Sequence, residues 1–290
     1  MNTKKAIITA ILALTLATSP IIASAAEDTK PAENKQESAT VTGEIAASIL
    51  SAYIWRGQEL SRHSAVIQPS ATVSYRGFSA NIWGNLDTKP YAVGNERYSA
   101  NYTETDVTLS YSHKVGIFQL GCGYIYYGLA SLTPGAADPL DSQELFVSVG
   151  LDTILMPTLA VYKEIDHYHQ WYATLGISHT FALHEKVGLK LSGNVSYLLS
   201  TDENTYPKYD GNGIATAEKF NNFHDGIISV SLPLNVVSTL TVTPTLSYVF
   251  PLSEEAKYEM RARGLQGAFI PSGKDSSSFL YGGMILSFSF

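Results

Sequence analysis

The chain has 290 residues and a formal charge of −7, with one cysteine and only 16 % charged residues. An acidic chain has no electrostatic case for nucleic acid. A single cysteine, Cys122, excludes an internal disulfide framework and any cysteine-built zinc site. So few charges, beside 18 Tyr and 22 Gly, are also unusual for a soluble domain, which carries roughly 25 % charge.

Lys4 and Lys5 open the chain, an apolar run follows to about Ala17, and Ala23-Ser24-Ala25 has the small-x-small pattern of a cleavage site. The run is too short to span a bilayer, for which roughly 20 residues are needed. Residues 1–25 therefore read as a cleaved signal peptide. Residues 26–41 are polar, nearly devoid of large apolar side chains, and read as a disordered periplasmic lead-in. No later stretch is apolar enough for a transmembrane helix.

From residue 42 to 290 the pattern changes to period-two alternation. Twelve segments alternate: 43–56, 66–76, 77–87, 102–113, 116–128, 142–152, 157–164, 169–181, 187–199, 224–234, 239–250 and 279–290. A weak helical period occurs only in 252–263. Arg76-Gly77 and Lys114-Val115 connect segments directly, whereas other connections run to 24 and 28 residues. Short and long connections nearly alternate. Leu240, Val242, Leu246, Tyr248 and Phe250 oppose Thr241, Thr243, Thr245 and Ser247 on one segment. Aromatics gather at predicted strand ends, with Tyr53, Trp55, Tyr126, Trp171 and Tyr248 at one level and Tyr75, Phe118, Phe181 and Phe288 at the other. Apolar-out, polar-in strands with sorted loops and two aromatic girdles predict an all-β fold. The expected form is a twelve-stranded antiparallel transmembrane β-barrel with short periplasmic turns and long extracellular loops.

The last segment, Tyr281-Gly-Gly-Met-Ile-Leu-Ser-Phe-Ser-Phe290, stops on its aromatic. It resembles the assembly signal of bacterial outer-membrane barrels. The resemblance implies the barrel-assembly machinery as a partner through Phe290, and outer-membrane lipid and lipopolysaccharide as surroundings.

A second resemblance is carried by Ser51-x-Tyr53-x-x-Arg56-Gly57, then Ser61, Gln68-Pro69, Tyr75-x-Gly77-Phe78-Ser-Ala80-x-x-Trp83-Gly84 and Glu104-x-Asp106. These residues resemble the small proteobacterial outer-membrane porin family called TorF-like, most clearly over 43–113. Ala52 stands where that family carries an acidic residue. The resemblance implies an outer-membrane channel of unspecified cargo.

With the polar faces turned inward, the candidate pore-lining residues are Glu44, Arg56, Glu104, Asp106, Glu144, Lys190 and Asp225, among many Ser and Thr; Asp152 falls on the same face. A lining rich in carboxylates favours cations. The expected function is a narrow, weakly cation-selective channel for passive diffusion of small solutes, as a monomer in the bacterial outer membrane. Arg56 could equally brace the wall by pairing with Glu104, Asp106 or Glu44. The alternative is a plugged structural or surface-binding barrel, with metal or ligand capture at the extracellular mouth by His63, His167, His169 and His224 near Asp166 and Asp225. His167 and His169 would share a face if extended. No histidine has Ser or Thr two residues later, so the strand-borne base and nucleophile of a barrel hydrolase are missing. Neither Gly-x-Ser-x-Gly nor His-Glu-x-x-His occurs. An enzyme, a cofactor and a resident metal are not expected.

Overall fold

The computed structural model describes residues 40–61, 64–88, 100–130, 138–263 and 277–290. The expected signal peptide and nearly all of the lead-in lie outside these residues. Seventeen strands and one helix follow in chain order: β1 (Thr42–Leu50), β2 (Ile54–Trp55), β3 (Gln58–Glu59), β4 (Val66–Tyr75), β5 (Phe78–Asp87), β6 (Asn101–Val115), β7 (Phe118–Leu129), β8 (Ser142–Leu151), β9 (Thr158–Glu164), β10 (Gln170–His184), β11 (Val187–Ser200), β12 (Pro207–Tyr209), β13 (Ala215–Lys219), β14 (Asn221–Ser231), β15 (Leu234–Val237), β16 (Leu240–Pro251), α1 (Glu254–Arg263) and β17 (Phe279–Ser289).

Thirteen of the strands form one antiparallel wall with twelve positions around it: β1, β4 to β11, β14 with β15 continuing its line, β16 and β17. β17 pairs with β1 from Glu44↔Ser289 to Leu50↔Gly283, and this closes the barrel. The terminal residue completes the seam, since Gly43 and Phe290 exchange backbone hydrogen bonds of 2.8 and 2.9 Å. A Cβ at residue 43 would sit 2.5 Å from the Phe290 ring, so glycine is what lets that ring lie flat across β1.

The short turns lie at the end where the chain enters, except the five-residue β9–β10 connection at the far rim. Arg76 and Gly77 both adopt left-handed backbone, φ 48° and 82°, the two-residue turn that matches strand twist. Along each strand every second side chain faces outward and is apolar: Ile45 and Ile49, Leu145, Val147 and Val149, Leu175 and Ile177, Met284, Leu286 and Phe288 are all exposed. In water such a surface would aggregate; around a closed barrel it is the lipid-facing band. Trp171 and Tyr248 ring one rim, and Tyr75, Phe118 and Phe181 the other, all exposed. Cys122 is exposed on the same outer face. Among the described residues no helix is long and apolar enough to cross a membrane; the strands do the crossing.

Two expectations are corrected. The first segment does not run to residue 56, because β1 ends at Leu50 and the chain then folds into the lumen. Tyr53 and Trp55 accordingly leave the girdle: Tyr53 is buried and Trp55 packs inside the barrel against an apolar cluster.

Candidate functional site in the lumen

The Ser51-to-Gly57 stretch builds a hairpin that points into the barrel. Ser51 is still held to the wall, its backbone N donating to Gly282 O at 2.9 Å. Beyond it the Ser61 hydroxyl accepts from the Tyr53 backbone N at 2.6 Å, and Trp55 pairs with Gln58. Between them Arg56 and Gly57 are left-handed, φ 45° and 75°, a two-residue turn with glycine at its second position. A side chain on residue 57 would meet the Met260 methyl at 2.9 Å. The turn delivers Arg56, 1 % exposed, to the middle of the barrel.

There its Nη2 donates to Glu144 Oε2 at 2.7 Å, an oxygen that also accepts from the Tyr127 hydroxyl at 2.9 Å. The guanidinium carbon stands 4.2 Å from the Tyr172 ring, 4.6 Å from Trp55 and 5.4 Å from Tyr162. Desolvated cation–π contacts of this kind contribute about 2 kcal/mol at best. The partner expected among Glu44, Glu104 and Asp106 is thus Glu144, on a strand 88 residues away. Glu104 instead accepts from the Tyr53 hydroxyl at 2.9 Å.

α1 closes the mouth from the opposite side. Ser253 caps it, its hydroxyl accepting from Ala256 N at 3.1 Å, with Glu254 and Glu255 in the favourable first turn. Its inner face buries Ala256, Glu259 and Met260 completely. Glu259 is the junction. One oxygen lies 2.7 Å from His224 Nε2; the other accepts from Gln58 Nε2 at 3.2 Å and from the Tyr206 hydroxyl. The other ring nitrogen of His224 faces Asp225 at 2.8 Å, and Asp225 accepts from Tyr172 at 2.9 Å and Ser196 at 2.7 Å. Four separate segments are tied through one carboxylate and one imidazole.

Around these polar junctions the extracellular half of the lumen is apolar. One cluster joins Tyr127, Phe146, Tyr162, Tyr172, Leu198, Tyr206 and Phe220. The other joins Leu50, Tyr53, Ile54, Ile227, Val249, Met260 and Tyr281. The periplasmic half differs: Thr72, Ser74, Ser79, Asn81, Ser110 and Ser148 face inward and are only partly buried. The lumen is a polar vestibule below and a packed plug above.

Of the candidate pore-lining residues, Glu44, Glu104, Asp106, Glu144 and Asp225 are buried on the inward faces of β1, β6, β8 and β14. Lys190 is partly buried and in phase with the inward Ser192 and Asn194 of β11. Asp152 is a correction: it lies in the β8–β9 turn, in contact with Lys114 and outside the lumen. Sequence reasoning missed Glu259, Tyr206 and Phe220, which come from loops where no alternation predicts facing. Among the described residues nine carboxyl groups are buried (Glu44, Glu59, Asp87, Glu104, Asp106, Glu144, Glu164, Asp225, Glu259) against Arg56 and His224, so acidic groups outnumber basic ones in the interior.

The mouth histidines do not assemble as expected. His63 lies outside the described residues. His167 and His169 share no extended face, because the buried Glu164 carboxylate gathers the backbone N–H groups of residues 166 to 169 at 2.7–3.1 Å and curls that turn. His224 has both nitrogens against carboxylates. Among the described residues there is no group of three or more His, Cys, Asp or Glu able to hold a metal. Outside the strands, Asp141 is held below the ordinary carboxylate range by the Tyr126 hydroxyl and then the Leu129 backbone N–H.

No family model matches the chain, and no curated protein matches it. Among solved structures it is similar to the NanC porin, 10 % identical, covering 85 % of this chain and 98 % of that one, with a TM-score of 0.47. It is similar to Salmonella typhi OmpF in complex with daunomycin, 7 % identical, covering 87 % and 97 %, at 0.36. Pseudomonas putida OprB is 14 % identical, covering 81 % and 61 %, at 0.34. Likenesses at this level carry no inference about cargo. Placement rests on the molecule's own closed, even-stranded wall and apolar band. The chain is a twelve-stranded outer-membrane β-barrel.

Proposed function

We propose that this barrel is a non-enzymatic, narrow, weakly cation-selective channel for passive diffusion of small solutes, closed at its extracellular mouth in the present conformation. The observation that carries the reading is the division of labour in the lumen. The 51–59 hairpin, Tyr206, Phe220 and α1 close the mouth by packing on aromatic and aliphatic side chains of the upper wall, while the wall also carries the inward carboxylates Glu44, Glu104, Asp106, Glu144 and Asp225 and is polar in its lower half. Twelve strands enclose more space than the eight that side chains alone can fill. An anionic lining favours cations. On this reading the TorF-like resemblance of residues 51–57 takes a physical meaning: the motif is the inward hairpin of a small porin.

The test is single-channel recording from the folded barrel in planar bilayers under a salt gradient. Wild type should show rare discrete openings with a cation-favouring reversal potential, and Glu259→Gln should make them frequent. Neutralising Glu104 and Asp106 together should remove the cation preference. Silence from folded wild type and folded Glu259→Gln alike would sink the channel and leave the plugged structural or surface-binding barrel.

A further inference from the structure

We infer that the lumen wall holds a binding site for a hard cation, built from oxygens of the paired strands β5 and β6 at the floor of the plug. Glu44 pairs with Thr72, Thr72 with Asn81, and Asn81 with Thr108. These four inward residues therefore form one cross-strand row, with neighbouring strands about 4.8 Å apart. Asp106 and Glu104 follow Thr108 on the same face of β6 at two-residue steps.

Four oxygens of this group are buried and make no hydrogen bond: Glu44 Oε2, Asn81 Oδ1, Asp106 Oδ1 and Thr108 Oγ1. Thr108 is 1 % exposed and Asp106 4 %. The Asn81 amide nitrogen is committed to Thr72 Oγ1 at 2.8 Å and Ala71 O at 3.2 Å, which leaves its oxygen open. A buried polar atom without a partner costs free energy; the three on the paired strands β5 and β6, Asn81 Oδ1, Asp106 Oδ1 and Thr108 Oγ1, share one remedy, whereas Glu44 stands three strands away, roughly 14 Å from Thr108 at about 4.8 Å per strand. All are oxygens able to accept or ligate. Among the described residues the fully buried cationic groups are engaged elsewhere: Arg56 is bound to Glu144, and His224 lies between Asp225 and Glu259.

Carboxylate, amide and hydroxyl oxygens suit a hard cation such as Ca²⁺ or an alkali ion, which tolerates irregular coordination and retained water. With Asp106 and at most Glu104 as carboxylates and no nitrogen or sulfur donor, the set does not suit zinc or copper. The partly exposed Thr72, Asn81 and Ser110 connect it to the periplasmic vestibule, so the cation enters from that side. Tyr53, bonded to Glu104, and Trp83, the ladder partner of Asp106, place two aromatic rings beside it.

Those rings make a direct probe available. Tb³⁺, an oxygen-seeking cation, becomes luminescent when nearby Tyr or Trp transfers excitation to it. The inference rests on the lumen being reached from the periplasmic side, and this assay needs no conduction. Folded wild type in detergent should give saturable Tb³⁺ luminescence displaced by Ca²⁺. Asp106→Asn and Thr108→Val should each weaken it about tenfold or more, as expected when a ligand is removed, while the exposed Glu218→Gln should not. Thr108→Val removes one oxygen at nearly constant shape and serves if Asp106→Asn does not fold. Titrations of folded Asp106→Asn or Thr108→Val that superimpose on wild type would overturn the site and assign the signal to surface carboxylates. Saturable binding in a barrel that never conducts would keep the site and reject the channel.

Discussion

Glu259 of α1 lies 2.7 Å from Nε2 of His224, and both side chains are fully buried. This contact fastens a loop helix to the barrel wall. Removing one partner of a buried charged pair costs about 3–5 kcal/mol, because the other stays uncompensated. His224→Ala should therefore release α1 without unfolding the barrel. Hydrogen exchange across 254–263 should accelerate strongly while the β6–β7 and β10–β11 ladders stay protected; unchanged exchange in the helix would show that Gln58 and Tyr206 hold it unaided.

Arg56 and Glu144 give a second pair, in contact at 2.7 Å with both side chains 1 % exposed. Arg56→Ala and Glu144→Ala should each destabilise the folded barrel by about 3–5 kcal/mol. The double variant should cost clearly less than the two together, since neither charge is then stranded. Urea unfolding from lipid vesicles measures all three. Additive losses would mean that the aromatic faces, and not Glu144, stabilise the guanidinium.

At the seam, Gly43→Val should push the Phe290 ring off β1, where a Cβ would otherwise lie 2.5 Å from it. Refolding into vesicles should slow, and Phe290→Ala in the same chain should recover part of the rate. If Gly43→Val folds at the wild-type rate, the terminal ring has another resting place.

The alternation of β8 supplies a test of the membrane face. Val147 is 58 % exposed, near the middle of its strand, and Val147→Arg should cost about 2–4 kcal/mol in lipid. Ser148→Arg, one residue on and facing the lumen, should cost far less and shift ion selectivity instead. Equal stability of the two variants would contradict the assigned facing.

The wall was legible because alternation, loop sorting and glycine turns are local signals, each repeated strand after strand. β10 and β11 pair through thirteen consecutive steps before a single shift, as an unbroken period-two pattern implies. The plug was not legible for the opposite reason. Tyr53 and Trp55 keep the alternation of β1, so an inward hairpin reads as a longer strand. Arg56-Gly57 was the available sign of a turn. The pairing of Arg56 with Glu144, or His224 with Glu259, spans 88 and 35 residues, and nothing local distinguishes these carboxylates from the other buried ones. The short helical period at 252–263 did announce α1, but its docking face depends on partners from three other segments.

The vestibule and the plug occupy opposite halves of one lumen, which makes the barrel electrically one-sided. On the proposed channel reading, ions enter the periplasmic cup freely but reach it from outside only by displacing packed aromatics. Any current through this barrel should therefore rectify, with current–voltage curves that reverse shape when the orientation of insertion is reversed.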